Sequence, residues 1–419
     1  MGRRAEFAVS RRALMILGLL AALPLEAEAA PKPKSADAKP AEAKAEKAKS
    51  ASSAVSQASA RFGFDLLTTL GKTAASEPNL VVSPASLAAA FSLLDLGASP
   101  KLHAALLKTL RLEGKAGDFA KLRQSLLPLI AGGKAESPLT GIGAVYFDRE
   151  ADPKPAAVTK LKQAGATVEV TDLASPATRD AINALVKERT HGLIPSLIDN
   201  PLHKGGLVVL NALHFKDEWR MAFDPAQTGE TDFHLAEGGA AKVAMMHSGS
   251  TPRLARQDGR FIGVSLPYRT KGYALILITT TDKPAGLADF SEVSGWLTGE
   301  GFAELTGTVA LPRLAIKAGG DLRASLDGLG LDPAAGAPDA LRQFSAKPQK
   351  IDEIIQKVVI AVDEKGTEAA AATAITSRSL ADKPELSFVA DKPFLFALRD
   401  ETSGQTLIAG YVGDASKAQ

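Results

Sequence analysis

The residues able to do chemistry in this chain are few and scattered. Its six histidines, His103, His191, His203, His214, His234 and His247, show no His-x-x-x-His or comparable metal spacing. There is no cysteine, which excludes disulfides, zinc thiolates and cysteine nucleophiles. No Gly-x-Ser-x-Gly elbow, phosphate loop or dinucleotide fingerprint occurs, so nothing supports an enzyme or a bound cofactor. Ser83 and Asn211 lie beside apolar runs, which favours buried hydrogen bonds over catalysis. His191 and His214, without a motif around them, read as structural.

The stretch with most potential is a backbone segment, residues 362–384. It follows the β-branched run 354–362, which reads as a buried strand. Asp363, Glu364, Lys365 and Gly366 mark a break, with Gly366 free to take any backbone angle. Residues 367–374 are nearly all small, and 376–384 look like an exposed loop. Alanine favours a short exposed helix. An extended reading is also open. Thr367, Ala369, Ala371 and Thr373 then share one face, and Glu368, Ala370 and Ala372 the other. Small inner side chains could slide between two strands while Glu368 stays in water. A segment of this kind can wait outside a sheet and later join it.

The elements that must position this segment are legible along the chain. With 419 residues there is room for a large core, and 49 basic against 47 acidic residues imply no strong bias toward nucleic acid or membrane, so no nucleic-acid partner and no stable membrane insertion are expected. Arg3, Arg4, Arg11 and Arg12 precede an apolar run at 13–23, and Ala27, Glu28 and Ala29 offer a cleavage site. Residues 1–29 are therefore expected to be a signal peptide, in which Ser10, Arg11 and Arg12 resemble a twin-arginine signal, and this implies a secreted or periplasmic protein. Residues 30–52, rich in Lys, Ala and Pro, read as a disordered spacer or at most a fraying helix. A first helix is expected over 53–71. A strand then leads into a helix capped by Ser83 with Pro84 at its first position. Strands follow at 141–148 and 166–173, joined by a helix, and another helix runs from Pro176 to the His191-Gly192 stop. Residues 205–215 form a continuous apolar strand, buried on both faces by its pattern. Later strands are expected at 242–247, 261–267, 272–280, 308–316, 354–362, 385–390, 394–399 and 405–412, with a short helix at 321–331. The interleaving lacks strict βαβ alternation, so a mixed α+β single domain over 53–419 is favoured.

Residues 364–374 closely resemble the reactive-loop hinge of the serpins. Other segments agree, in the family's order. Ser83, Pro84, Ser86 and Asn211 match the shutter behind the main sheet. Ile182, Asn183 and the 190–194 turn resemble the helix crossing the sheet front. Trp219 and Phe223 resemble the breach, where insertion begins. Leu311, Pro312 and Arg313, and the C-terminal Phe394 and Phe396, complete the match, which spans roughly 55–415. One position departs: serpins commonly have a histidine where this chain has Gln356, which an amide can replace as donor and acceptor.

The resemblance implies a serpin fold of three β-sheets and eight or nine helices, with a reactive-centre loop at about 364–384. It implies a suicide-substrate inhibitor whose partner is a serine protease held as a covalent acyl complex. After cleavage the hinge residues Glu364, Gly366, Thr367, Glu368, Ala369, Ala370, Ala371, Ala372 and Thr373 would enter the main sheet. Some fifteen residues at about 3.3 Å each would carry the protease roughly 50 Å. In the family the cleaved bond follows the fifteenth residue counted from the hinge glycine. From Gly366 this is Leu380–Ala381, suited to chymotrypsin-, subtilisin- or elastase-like enzymes; Arg378–Ser379, suited to trypsin-like enzymes, is the rival bond. A non-inhibitory carrier, chaperone or structural serpin is the alternative, but such hinges usually carry bulky or charged residues or proline. A monomer is expected, with a risk of loop-to-sheet polymerisation.

Overall fold

The computed structural model describes residues 38–74, 77–113, 118–131, 137–200, 202–351, 353–367 and 385–418. The chain divides into two units, 1–46 and 47–419. Helix α1 spans Ala38–Thr73. The 30–52 stretch is thus helical from Ala38 onward, as its Ala, Lys and Glu content favours; the expected signal peptide lies outside the described residues.

Strand β1 (Asn79–Val82) leads to helix α2 (Pro84–Leu94), whose cap is the one expected: Ser83 Oγ accepts from the Ser86 N–H, and Pro84 opens the first turn. Every residue of α2 is buried, which its run of Ala and Ser permits. Ser99 caps α3 (Pro100–Thr109) in the same way. Short helices α4 (Phe119–Ser125) and α5 (Leu127–Ile130) follow. Strand β2 (Leu139–Asp148) pairs parallel with β3 (Thr167–Thr171), and α6 (Pro155–Gln163) joins them. Helix α7 (Pro176–Arg189) stops where His191 (φ 52) and Gly192 (φ 88) turn left-handed. Asn183 fixes that exit, accepting from the N–H groups of Leu197 and Ile198 at 2.8 and 3.0 Å.

The remainder is mostly strand: β4 (Leu207–Phe215), β5 (Asp217–Glu218), β6 (Gly229–His234), β7 (Ala240–His247), β8 (Thr251–Asp258), β9 (Phe261–Pro267), β10 (Tyr273–Thr280), β11 (Ala303–Pro312) and β12 (Leu314–Asp321). After α8 (Arg323–Asp327) come β13 (Ile355–Val362), β14 (Gly366–Thr367), β15 (Leu386–Val389), β16 (Phe394–Asp400) and β17 (Gln405–Val412). Three points differ from expectation. The strand expected at 308–316 is two, because the ladder changes partners around Arg313: β11 pairs with β7 and β8, β12 with β13. The polar strands β6 and β8 were not anticipated. The first half of β4, Leu207 to Val209, is only half-buried.

Among the described residues the strands form three sheets. The largest runs β1-β17-β16-β10-β9-β8-β11-β7-β6, with β15 added alongside β11. The other two are β3-β2-β4 and β12-β13-β14-β5. Helix α7 packs against the three-stranded sheet. Ile182 and Val186 meet Ile142, Leu210 and Ala212, and this cluster touches Ile355 and Val359 of β13. Fully burying one such aliphatic side chain contributes about 1.5–3 kcal/mol. Apolar packing therefore ties β4 to β13, although no ladder pairs them.

Candidate functional site

Strand β4 and strand β13 are flanks of a seam. They share no ladder, yet β5, which continues β4, and β13 are both bonded to the two-residue strand β14. Thr367 sits opposite Val362 on one side and Asp217 on the other, antiparallel to both. The segment after β13 thus places one rung, Gly366–Thr367, at the head of the seam.

Glycine at 366 is required by space, not by backbone angle. Its φ is not in the left-handed region. A Cβ there would lie 2.1 Å from the Asp217 carbonyl oxygen and 2.7 Å from Glu218 Cα. Both are backbone atoms of β5, which cannot swing aside. The expectation that Gly366 serves for conformational freedom is corrected on this point. Thr367 is buried, and its hydroxyl is 2.6 Å from the Tyr268 hydroxyl. Burial pushes the Tyr268 phenol well above its ordinary range, so Tyr268 stays neutral and able to donate.

The turn before Gly366 is held from several directions. Asp363 Oδ1 accepts from the N–H groups of Lys365 and Gly366 at 2.8 and 3.1 Å. Trp219 donates through its indole N–H to the Asp363 carbonyl at 2.9 Å and through its backbone N–H to the Lys365 carbonyl at 2.7 Å. Its ring stacks on Tyr268, centroids 4.5 Å apart. The Phe223 N–H donates to the Glu364 carbonyl at 2.8 Å.

Glu364 anchors the turn by its charge. Its carboxylate is buried and accepts from Arg313 Nη2 at 2.7 Å, from Arg313 Nε at 2.9 Å and from the Thr228 hydroxyl at 2.5 Å. Burial pushes the carboxyl up, but the guanidinium and the hydroxyl outweigh it and hold Glu364 below the ordinary carboxylate range. The same hydrogen bonds raise Arg313. The pairing of Glu364 with Arg313 escaped the sequence reading, although both residues belonged to quoted motifs. The signal was the charge complementarity between the hinge acid and the arginine that ends the Leu311-Pro312-Arg313 run.

A second buried network lies behind the seam. The Ser83 N–H donates to Gln356 Oε1 at 2.8 Å, and Gln356 Nε2 donates to the Ser83 carbonyl at 3.0 Å. The Ser83 hydroxyl donates to the Leu407 carbonyl at 2.6 Å. The Ser86 hydroxyl donates to Asn211 Oδ1, and Asn211 Nδ2 donates to the Leu129 carbonyl at 3.2 Å. Pro84 starts the helix between Ser83 and Ser86. Ser83, Pro84, Ser86, Asn211 and Gln356 are therefore brought together, joining β13, β4, β17 and α2. The amide of Gln356 fills both a donor and an acceptor role toward the backbone of one residue, Ser83.

Of the residues expected in the hinge, Glu364, Gly366 and Thr367 are placed as above. Glu368, Ala369, Ala370, Ala371, Ala372 and Thr373 lie outside the described residues, as do both expected reactive bonds, Leu380–Ala381 and Arg378–Ser379. His214 of β4 lies edge-on to His191, ring centroids 5.0 Å apart, at the exit of α7.

Three sheets, a helix packed on the three-stranded sheet and a two-residue rung bonded to both β5 and β13 define a protein built around a seam between two strands that share no ladder. A family model described as serpin (serine protease inhibitor) matches residues 57–415, and the chain belongs to the serpin family. It is 30% identical over 372 residues to bovine leukocyte elastase inhibitor, covering 85% of this chain and 98% of that one. It is 31% identical over 382 residues to wheat Serpin-Z2A, covering 84% and 94%. Among solved structures it is similar to Serpin48 of the insect Tenebrio molitor, with TM-score 0.73 and 25% identity over 86% of this chain and 98% of that one. The native thermophilic serpin tengpin shares the fold, with TM-score 0.71 and 22% identity over 86% and 94%.

Proposed function

We propose that this protein is a suicide-substrate inhibitor of serine proteases. The observation that carries the reading is the seating of Thr367 between β5 and β13, at the head of a seam whose flanks share no ladder. The residues that would follow Thr367 into the seam are Glu368, Ala369, Ala370, Ala371, Ala372 and Thr373. None is proline or bulky, and the only charge, on Glu368, falls on the outward face of an extended chain. Before cleavage the covalent tie at both loop ends limits how far this segment can enter. Cleavage frees one end. The hinge then gains ladder hydrogen bonds and carries the acyl-bound protease with it.

The reactive bond in this reading is Leu380–Ala381, with a chymotrypsin-, subtilisin- or elastase-like target. The apolar side chain of Leu380 suits the pockets of such enzymes. The protein serves as a pseudo-substrate, and no residue of its own catalyses a reaction. The arginines and the apolar run before residue 24 support export through a cleaved signal peptide.

The test is incubation with a chymotrypsin-like and a trypsin-like protease, followed by denaturing electrophoresis and mass spectrometry. The reading predicts an SDS-stable covalent adduct with the first enzyme and a released peptide beginning at Ala381. Clean turnover without adduct by both enzymes refutes inhibition. A peptide beginning at Ser379 replaces Leu380 with Arg378.

A further inference from the structure

A cleft of about 130 Å³ opens beside the hinge, walled by the segment after β5 and by β8 and β9. Trp219, Phe223, Leu254, Leu266 and Pro267 give it apolar surface, and Arg253 gives it a guanidinium. A cavity of about 150 Å³ accommodates one benzene ring, so this cleft suits a single ring-sized group. Among the described residues four large apolar side chains are left exposed, and two of them, Met221 (44%) and Leu254 (48%), border this cleft.

Arg253 is the unusual member. It is only 8% exposed. Its hydrogen bonds run to neutral acceptors: Nε to the Gly307 carbonyl at 3.2 Å, and Nη2 to the Ser248 hydroxyl at 2.7 Å and the Gly249 carbonyl at 3.4 Å. Nη1 has no hydrogen-bond partner among the described residues and remains reachable by solvent. Arg111, Arg313 and Arg323 each meet a carboxylate, and Arg253 meets none among the described residues. Burial without a countercharge lowers its guanidinium to about 10, so it stays charged at neutral pH. A buried cation in this condition gains from an arriving anion. Arg220 adds a second positive group to the lining, and Glu401 is an exposed acid at the rim.

We propose that this cleft binds a small organic carboxylate carrying one ring-sized apolar group. The carboxylate pairs with Arg253, and the ring packs against Leu254, Leu266 and Pro267. The site is independent of protease inhibition. It bears on the hinge because its walls Trp219 and Phe223 hold the carbonyls of Asp363, Glu364 and Lys365. An occupant braces those walls and so raises the melting midpoint of the uncleaved protein.

The test uses 3-phenylpropionate against its neutral counterpart 3-phenylpropanol. Binding is followed by the emission of Trp219, one of two tryptophans, and by the melting midpoint. The acid is expected to saturate and to bind at least about tenfold more tightly than the alcohol. Arg253→Met removes this preference. Because Arg253 also ties Gly307 and Ser248, a second variant, Met221→Glu, puts a carboxylate at an exposed position on the cleft border. It is expected to weaken the acid by about tenfold while leaving the alcohol nearly unchanged. Equal binding of acid and alcohol, no saturation by the acid up to about 10 mM, or unchanged acid affinity in Met221→Glu overturns the proposal.

Discussion

Removing Arg313 tests how the uncleaved hinge is held. Glu364 is 5% exposed, and three contacts of 2.7, 2.9 and 3.2 Å join it to the guanidinium. In Arg313→Met the carboxylate keeps only the Thr228 hydroxyl among these side-chain partners. Removing one partner of a fully buried pair costs about 3–5 kcal/mol. The Arg313 side chain is 47% exposed, so water screens part of the interaction, and a cost of about 1–3 kcal/mol is the sounder expectation. Denaturant unfolding of the wild type, Arg313→Met, Glu364→Gln and the double variant isolates the coupling, expected at roughly 1–2 kcal/mol. The dependence on pH has a definite sign. Glu364 titrates below its ordinary 4.5 in the folded protein, so the pair's contribution is complete above that value and is lost as pH falls through the folded value. The deficit of Arg313→Met is therefore full at neutral pH and shrinks in acid. A variant as stable as the wild type at neutral pH, or one with the same deficit at every pH, refutes this account of the hinge.

Gly366→Ala is expected to unseat β14, because its Cβ would meet the Asp217 carbonyl at 2.1 Å. The cost is about 1–3 kcal/mol for an unyielding clash, read as faster hydrogen exchange at the Thr367 amide; unchanged exchange contradicts the steric reading. Gln356→Ala leaves the Ser83 N–H and carbonyl without their side-chain partner in a buried setting. It is expected to lower stability by about 2–4 kcal/mol, and a denaturation midpoint equal to the wild type's would count against that network. Ser83→Phe also forces a large ring into the same buried contact, and is expected to form polymers on mild heating, seen as ladders on native gels. A fully monomeric sample after heating speaks against this.

Much of this arrangement was legible because it rests on short local signals. Ser83 and Pro84 announce a helix start by chemistry that operates within one turn. The short apolar strands β9, β10, β16 and β17 declare themselves by composition. What escaped depends on partners distant in sequence. The strands β6 and β8 carry Glu230, Asp232, Arg253 and Arg256, and their strand character comes from pairing with β7, β9 and β11, not from a buried pattern. The division of 303–321 at Arg313 reflects a change of neighbouring strands, which no window of sequence contains. Gly366 was singled out for its freedom, but its constraint is the approach of β5, a segment far earlier in the chain. The substitution of Gln356 was legible as a departure, and only the placement of Ser83 shows that one amide satisfies both backbone groups.

The central claim is that the segment after Thr367 becomes a full strand between β4 and β13 once the loop is cut. The direct measurement is the melting midpoint of the protein before and after limited cleavage within 376–384, with hydrogen exchange read along β4 and β13. Each ladder hydrogen bond gained contributes about 1 kcal/mol net. Over a strand as long as β13, the account predicts a rise of roughly 10 °C or more after the cost of ordering the segment is subtracted. It also predicts new protection at the amides of both flanking strands. A cut sample that melts where the intact protein does, with β4 and β13 exchanging as before, contradicts it.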